Sequence, residues 1–167
     1  MTNRWKPHVT VAALMERDGL YLLVEEETAH GLRLNTPAGH LEASESIVDG
    51  CVREAWEETA HRFTPDALVG IYMTRNREAR AHKGAPQDIT YVRFALSGTV
   101  GDSDPSQTLD TGIVRTLWMS PAEIEASRDR HRSPMVWQCV QDHMRGQRFD
   151  LSVLFTHDSV SDPEVRG

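Results

Sequence analysis

Apolar and polar positions follow two different periods along this chain, and the points where the period changes mark its elements. Residues 8–15, HVTVAALM, are almost all apolar or β-branched and read as a strand. Asp18-Gly19 is a turn signal, and the apolar run 20–24 after it completes an expected hairpin. Three acids, Glu25, Glu26 and Glu27, lead into an expected polar loop that ends near Asn35. Thr36-Pro37-Ala38-Gly39 cannot be helical, because Pro37 restricts its predecessor and Gly39 favours a turn. From Ser44 or Ser46 the spacing becomes helical and holds to about Thr59, and Pro65 bars any continuation. A strand is expected at 68–73, a polar basic loop at 74–87, and an alternating strand at 90–96. That strand sets Val92, Phe94 and Leu96 on one face against Tyr91, Arg93 and Ala95 on the other. The Gly-, Asp-, Ser- and Thr-rich stretch 98–112 reads as a loop before a strand at 113–118.

Two later helix starts are explicit. Ser120-Pro121-Ala122-Glu123 combines an N-cap, a first-turn proline and a capping-box glutamate. Ser133-Pro134 repeats the cap and proline ahead of a stripe of Val136, Val140 and Met144. Beyond Leu154 the chain is polar and aperiodic, so the expected organisation is one domain over 1–155 and a flexible tail over 156–167. Strands, a helix, more strands and closing helices predict an α+β architecture, an α/β/α sandwich with a mixed sheet between helices.

Composition narrows the function more than the fold. A chain of 167 residues, 39% hydrophobic and 26% charged, suits one folded domain. Its net charge of −7 argues against a nucleic-acid or anionic-membrane partner, although metal ions can bridge an acidic protein to a phosphate-rich small molecule. Cys51 and Cys139 suggest neither a disulfide framework nor a zinc site. The polar start at residues 1–7 and the lack of an apolar run of about 18 residues lead us to expect a cytoplasmic protein. Oligomeric state stays open.

The chemistry concentrates on one helix. At about 100° per residue, Ile47, Val48, Cys51, Val52 and Ala55 share an apolar face, and Glu54, Glu57 and Glu58 project as neighbours beside it. Like charges at this spacing repel by roughly 0.2–0.5 kcal/mol per pair, and in the C-terminal half the helix dipole opposes them as well. One reading is a solvated acidic face relieved by Arg53. The other is a carboxylate set awaiting a divalent cation such as magnesium, which takes carboxylate and phosphate oxygens together.

The surrounding spacing favours the second. Gly39, Glu45, Arg53, Glu54, Ala55, Glu57 and Glu58 fall in register with the signature of the Nudix hydrolases, which this chain resembles. That pattern is Gly, five residues, Glu, seven residues, then Arg-Glu-apolar-any-Glu-Glu-any-Gly-apolar. The match departs at its end, where Ala60 and His61 stand for the glycine and the apolar residue. Outside the box, His8-Val9-Thr10-Val11, Val24-Glu25-Glu26, Pro37 to Glu42, Trp118-Met119-Ser120 and Arg132-Ser133-Pro134 resemble the family's NudJ-type phosphatase branch.

The resemblance implies a Nudix fold, and attack of water on a diphosphate held by magnesium, or by manganese. It implies Glu57, Glu58 and the Gly39 carbonyl as metal ligands, with Glu54 a ligand or the base on the attacking water. Glu57 also enters the catalytic set, with Arg53 orienting the glutamates and Glu45 pairing with Arg53. Asp110 is the candidate extra acid, with Asp104 behind it. Arg33, Tyr91, Arg93 and Arg132 are candidate substrate contacts, and Tyr91 could stack on a base or pyrimidine ring. Arg75, Arg77, Arg80 and Lys83 could receive outer phosphates or form a solvated basic loop. The histidines match no zinc motif, and Trp5, Trp56, Trp118 and Trp137 read as packing residues.

The branch implies release of orthophosphate from nucleoside di- and triphosphates, thiamine diphosphate or its pyrimidine precursor. The rivals are a Nudix pyrophosphohydrolase cutting an inner bond of a nucleotide-sugar or nucleoside triphosphate, and a non-catalytic nucleotide-sensing module.

Overall fold

The fold rests on one strand buried on both sides. In the computed structural model, which describes residues 4–80 and 86–161, strand β1 (His8–Arg17) is fully buried from Val11 to Met15. Its alternate side chains enter two separate cores: Ala12 and Leu14 one, Val11, Ala13 and Met15 the other. A continuous apolar run is what a strand covered on both faces requires.

Strand β2 (Leu20–Thr28) returns antiparallel to β1 through Asp18 and Gly19, whose φ values of 52° and 79° are those of a two-residue turn matched to strand twist. The expected polar loop before Asn35 is instead strand β3 (Gly31–Asn35), paired with β2 from Val24↔Asn35 to Thr28↔Gly31. A polar edge strand shows weak apolar alternation, which is why the pattern missed it. Strand β4 (Ala38–His40) then lies antiparallel to β1, non-helical as Pro37 requires.

Helix α1 (Ile47–Thr59) begins at Ser46, whose hydroxyl accepts a hydrogen bond from the Asp49 N–H at 3.0 Å. Cys51 and Ala55 are fully buried against β1, while Ile47 and Val48 pack at the margin. Strands β5 (His61–Arg80) and β6 (Pro86–Ser103) are far longer than the sequence suggested. They run antiparallel over nearly their whole length, and β6 is parallel to β1 from His8↔Tyr91 to Met15↔Gly98. The segments expected as loops at 74–80 and 98–103 are therefore strand. Cross-strand hydrogen bonding carries them despite their polar residues, with register shifts near Pro65 and Asn76 absorbing the misfits. Lys83 lies outside the described residues.

Strand β7 (Ile113–Met119) pairs with β2, and the short strand β8 (Phe149–Asp150) with β5. Helix α2 (Pro121–Ala126) has the full Ser120–Glu123 capping box. Helix α3 (Met135–Met144) lacks a side-chain cap at its N-cap Pro134, and Ser133 accepts only a 3.3 Å contact from the Met135 N–H. Val136, Cys139 and Val140 of α3 and Ile124 of α2 seal the core opposite α1. Helices thus cover both faces of a mixed sheet, the sandwich that the element order predicts. Residues 162–167 of the expected tail lie outside the described residues, and within the rest Asp158–Val160 form a 3-10 turn. No described helix is long and apolar enough to cross a membrane.

Candidate active site

Arg53 organises the acidic face of α1. Its Nε and Nη2 grip the two oxygens of Glu45 at 2.9 and 2.8 Å. Nη1 donates to Glu54 at 2.8 Å and Glu57 at 2.9 Å, and Nη2 also donates to the His40 carbonyl at 3.0 Å. All five guanidinium N–H donors are spent in one plane, a fork that lysine cannot imitate. These carboxylates hold the guanidinium pKa above its usual range, Glu45 first, and Arg53 in turn holds the Glu45 carboxyl below its own. Arg53 thus contacts Glu45, Glu54 and Glu57 at once.

Gly39 meets this helix at contact distance. A Cβ there would fall 2.1 Å from Glu54 Oε1, so only glycine lets β4 lie under that carboxylate. Gly50 plays a similar part inside α1, where a Cβ would fall 2.7 Å from Glu45 Oε1. Glu58 is buried and accepts a hydrogen bond from the Ala38 N–H at 2.8 Å, which fixes α1 to β4 a second time. Burial, with Glu54, Glu26 and Asp110 nearby, pushes the Glu58 carboxyl up to about 8. Glu54 is raised too, chiefly by burial, with Glu57 and Asp110 adding to it.

This arrangement fits a divalent cation with a preference for hard oxygen ligands. Its donors are carboxylates and backbone carbonyls, and its buried negative charge is what such a cation offsets. Among the described residues, no three His, Cys, Asp or Glu side chains converge into a ready-made cage. Arg53 draws Glu54 and Glu57 towards itself, and magnesium in any case completes its shell with water and phosphate oxygens.

The other candidates divide. Asp110 reaches the cradle: its N–H donates to the Glu57 carbonyl at 3.0 Å, and its charge acts on Glu54 and Glu58. Asp104 is occupied elsewhere, closing a turn by accepting from the Ser106 N–H at 2.9 Å and from its hydroxyl at 2.6 Å. Tyr91 lies on the same sheet face as Arg93, in an edge-packed group with His8 and His40 whose ring centroids are 5.7 and 6.1 Å away. Arg33 is half-buried beside Glu26 in the β2–β3 register, and its Nη1 donates to the Leu32 carbonyl. Arg132 is half exposed, its Nε 3.6 Å from Glu26, and its backbone N–H donates to the Leu34 carbonyl at 2.8 Å. Arg93 is no surface residue; it is buried within the sandwich.

Two further expectations change. Arg75 pairs with Asp88, its Nε 2.7 Å from Oδ1, so this member of the basic stretch is already partnered. Trp5 is exposed, whereas Trp56, Trp118 and Trp137 are packed under Arg62, Arg17 and Arg128 respectively.

The residue that sequence reading passed over is Glu26. It sits on β2, where the pairing with β7 shifts register between Glu25 and Glu26. Glu25 is buried and clasped by Arg115 and Arg130, while Glu26 interacts with Glu58, Arg93 and Arg132. Three consecutive acids gave no hint that one would be buried and the next half-buried in opposite roles.

Comparison with known proteins gives the family. The NUDIX domain profile matches residues 6–138. Phosphatase NudJ of Escherichia coli strain K12 is 36% identical over 152 residues, 90% of this chain and 92% of that protein, and NudJ of Shigella flexneri matches equally. A NUDIX hydrolase from Nitrosomonas europaea superposes with a TM-score of 0.81 at 48% identity, covering 92% of this chain and 99% of the other. A MutT NUDIX hydrolase from Burkholderia pseudomallei shares the fold alone, with a TM-score of 0.64 at 16% identity over 83% of this chain and 98% of the other. The chain belongs to the Nudix family, as a hydrolase acting on phosphoanhydrides with an Arg53-ordered glutamate helix.

Proposed function

We propose that this hydrolase is magnesium-dependent, acts in the cytoplasm, and releases orthophosphate from small di- and triphosphates. The substrates proposed are nucleoside di- and triphosphates, thiamine diphosphate and its pyrimidine precursor. The observation that carries this reading is the Gly39–Glu54–Glu58 junction, where buried carboxylates crowd a glycine backbone under the control of Arg53.

The Gly39 carbonyl, Glu54, Glu57 and Glu58 would hold the cation, and manganese suits the same oxygen donors. When bound, the metal polarises the diphosphate and offsets charge that builds on it during hydrolysis. Glu54, held by Arg53 at its Oε1, keeps Oε2 to ligate or to take the proton of the attacking water. Arg53 and Glu45 keep the helix face in register through the reaction. Asp110 is the proposed extra acid, and Arg33, Tyr91, Arg93 and Arg132 the proposed substrate contacts. Residues 1–155 form the proposed catalytic domain.

The test is orthophosphate release from these substrates and ADP-ribose, with and without magnesium and with and without an auxiliary phosphatase or pyrophosphatase. Direct magnesium-dependent release, lost in Glu57→Gln and Glu58→Gln, supports the reading. Signal that needs the auxiliary enzymes identifies an inner-bond pyrophosphohydrolase instead, and tight binding without turnover identifies a sensor.

A further inference from the structure

Arg93 is 9% exposed, yet its Nη1 has no hydrogen-bond partner among the described residues. A guanidinium left partly unpaired away from water costs several kcal/mol, which a purely structural residue has no reason to keep. Around it, Glu26 acts from β2 and Glu58 from α1. Glu26 Oε1 is also buried without a hydrogen-bond partner, as is Thr10 Oγ1, whose residue faces Arg93 across the β1–β6 ladder. Arg132 stands on the solvent side of Glu26, its 3.6 Å approach too long for a hydrogen bond.

Two guanidinium groups, Arg93 and Arg132, thus meet Glu26 and Glu58 here. A divalent cation held by Glu54, Glu57 and Glu58 would offset their charge and leave the donor at Arg93 Nη1 without a partner among the described residues. An anion is therefore the ligand that completes it. Because Arg93 is closed in by the sheets, that anion has to be an end group.

We propose that Arg93 is the deep receptor for the substrate's terminal phosphoryl group, with Glu26 as the counter-charge that holds its place in the free protein. This rests on the reading above, and names the group whose recognition would direct cleavage to the outermost anhydride. Arg93 meets the phosphoryl oxygens by charge-assisted hydrogen bonds. Glu26 limits affinity for anions when no cation is bound.

The test measures calorimetric binding of methylenediphosphonate, which cannot be hydrolysed, to the full chain in magnesium and in EDTA. Wild type should bind in magnesium and weaken at least tenfold in EDTA. Arg93→Met should weaken binding in magnesium tenfold or more, while the double variant Arg93→Met/Glu26→Gln, which removes the charge and its counter-charge together, keeps its ligand-free thermal midpoint level or raises it. A smaller loss of affinity, or a fallen midpoint with affinity retained, would make Arg93 a structural residue and overturn the proposal. Glu26→Gln provides an independent arm: affinity should rise threefold or more, and an unchanged or weaker affinity also overturns it. Wild type that binds in this Arg93-dependent way but releases no orthophosphate would instead overturn the reading of the reaction and leave the receptor in place.

Discussion

Gly39 and Glu54 are in contact across the junction of β4 and α1, so closely that a Cβ on residue 39 would lie 2.1 Å from Glu54 Oε1. The atom in the way is the end of a flexible side chain, so an alanine at 39 would move the carboxylate rather than unfold the strand. Displacing a catalytic group by about 1 Å costs on the order of a hundredfold in rate. Gly39→Ala should therefore lose about that factor in kcat with an unchanged circular dichroism spectrum. Activity within threefold of wild type would show that Glu54 is not positioned by this contact.

Arg53→Lys keeps the charge and loses the fork. Lysine could not satisfy Glu45, Glu54 and Glu57 together, and charge-assisted hydrogen bonds contribute about 1.5–3 kcal/mol each. Allowing for the partial exposure of Arg53, a loss of about 2 kcal/mol in urea-derived stability is expected, with kcat reduced more than KM is raised. A variant as stable as wild type would reduce the network to a surface feature.

Ala60 occupies the left-handed C-cap of α1, with φ 58° and ψ 13°, and its N–H donates to the Trp56 carbonyl. An alanine there costs about 1–2 kcal/mol against glycine, while glycine loses about 0.4–1 kcal/mol through the freer unfolded chain. Ala60→Gly should raise stability by roughly 0.5 kcal/mol and leave orthophosphate release unchanged. A drop in thermal midpoint would mean that the buried methyl of Ala60 outweighs the backbone strain.

Stability should also fall as the pH drops from about 6.5 towards 4, because of His143. Burial first, then Arg148, lowers its pKa to about 4, with Glu16 and Asp66 opposing weakly. Arg148 donates to Nε2, so the ring proton sits on Nδ1, directed at Tyr21 Oη at 2.7 Å. Between these pH values the unfolded histidine binds a proton that the folded one does not, so stability rises with pH in this window and is fully recovered above 6.5. The ring is only half buried, which reduces the contribution to about 1–2 kcal/mol. His143→Gln should flatten the thermal midpoint against pH over this range; an unchanged slope would place the titration elsewhere.

Helix α1 and its carboxylate cluster were legible because both are local. Helical period, the Ser46 cap and the spacing of Arg53, Glu54, Glu57 and Glu58 all lie within one short segment, and the same holds for the Ser120 capping box. The left-handed strain at Ala60 could likewise be read from the motif's missing glycine. Strand β3, the long reach of β5 and β6, the burial of Glu25 and Arg93 and the half-burial of Glu26 were not legible. Each depends on what a distant strand offers: a hydrogen-bonding edge for polar residues, or a facing charge such as Glu58 for Arg93. Residue type and spacing along the chain decided which groups could act on a phosphoanhydride. Pairing between strands far apart in sequence decided which of them are withdrawn from water and set against each other.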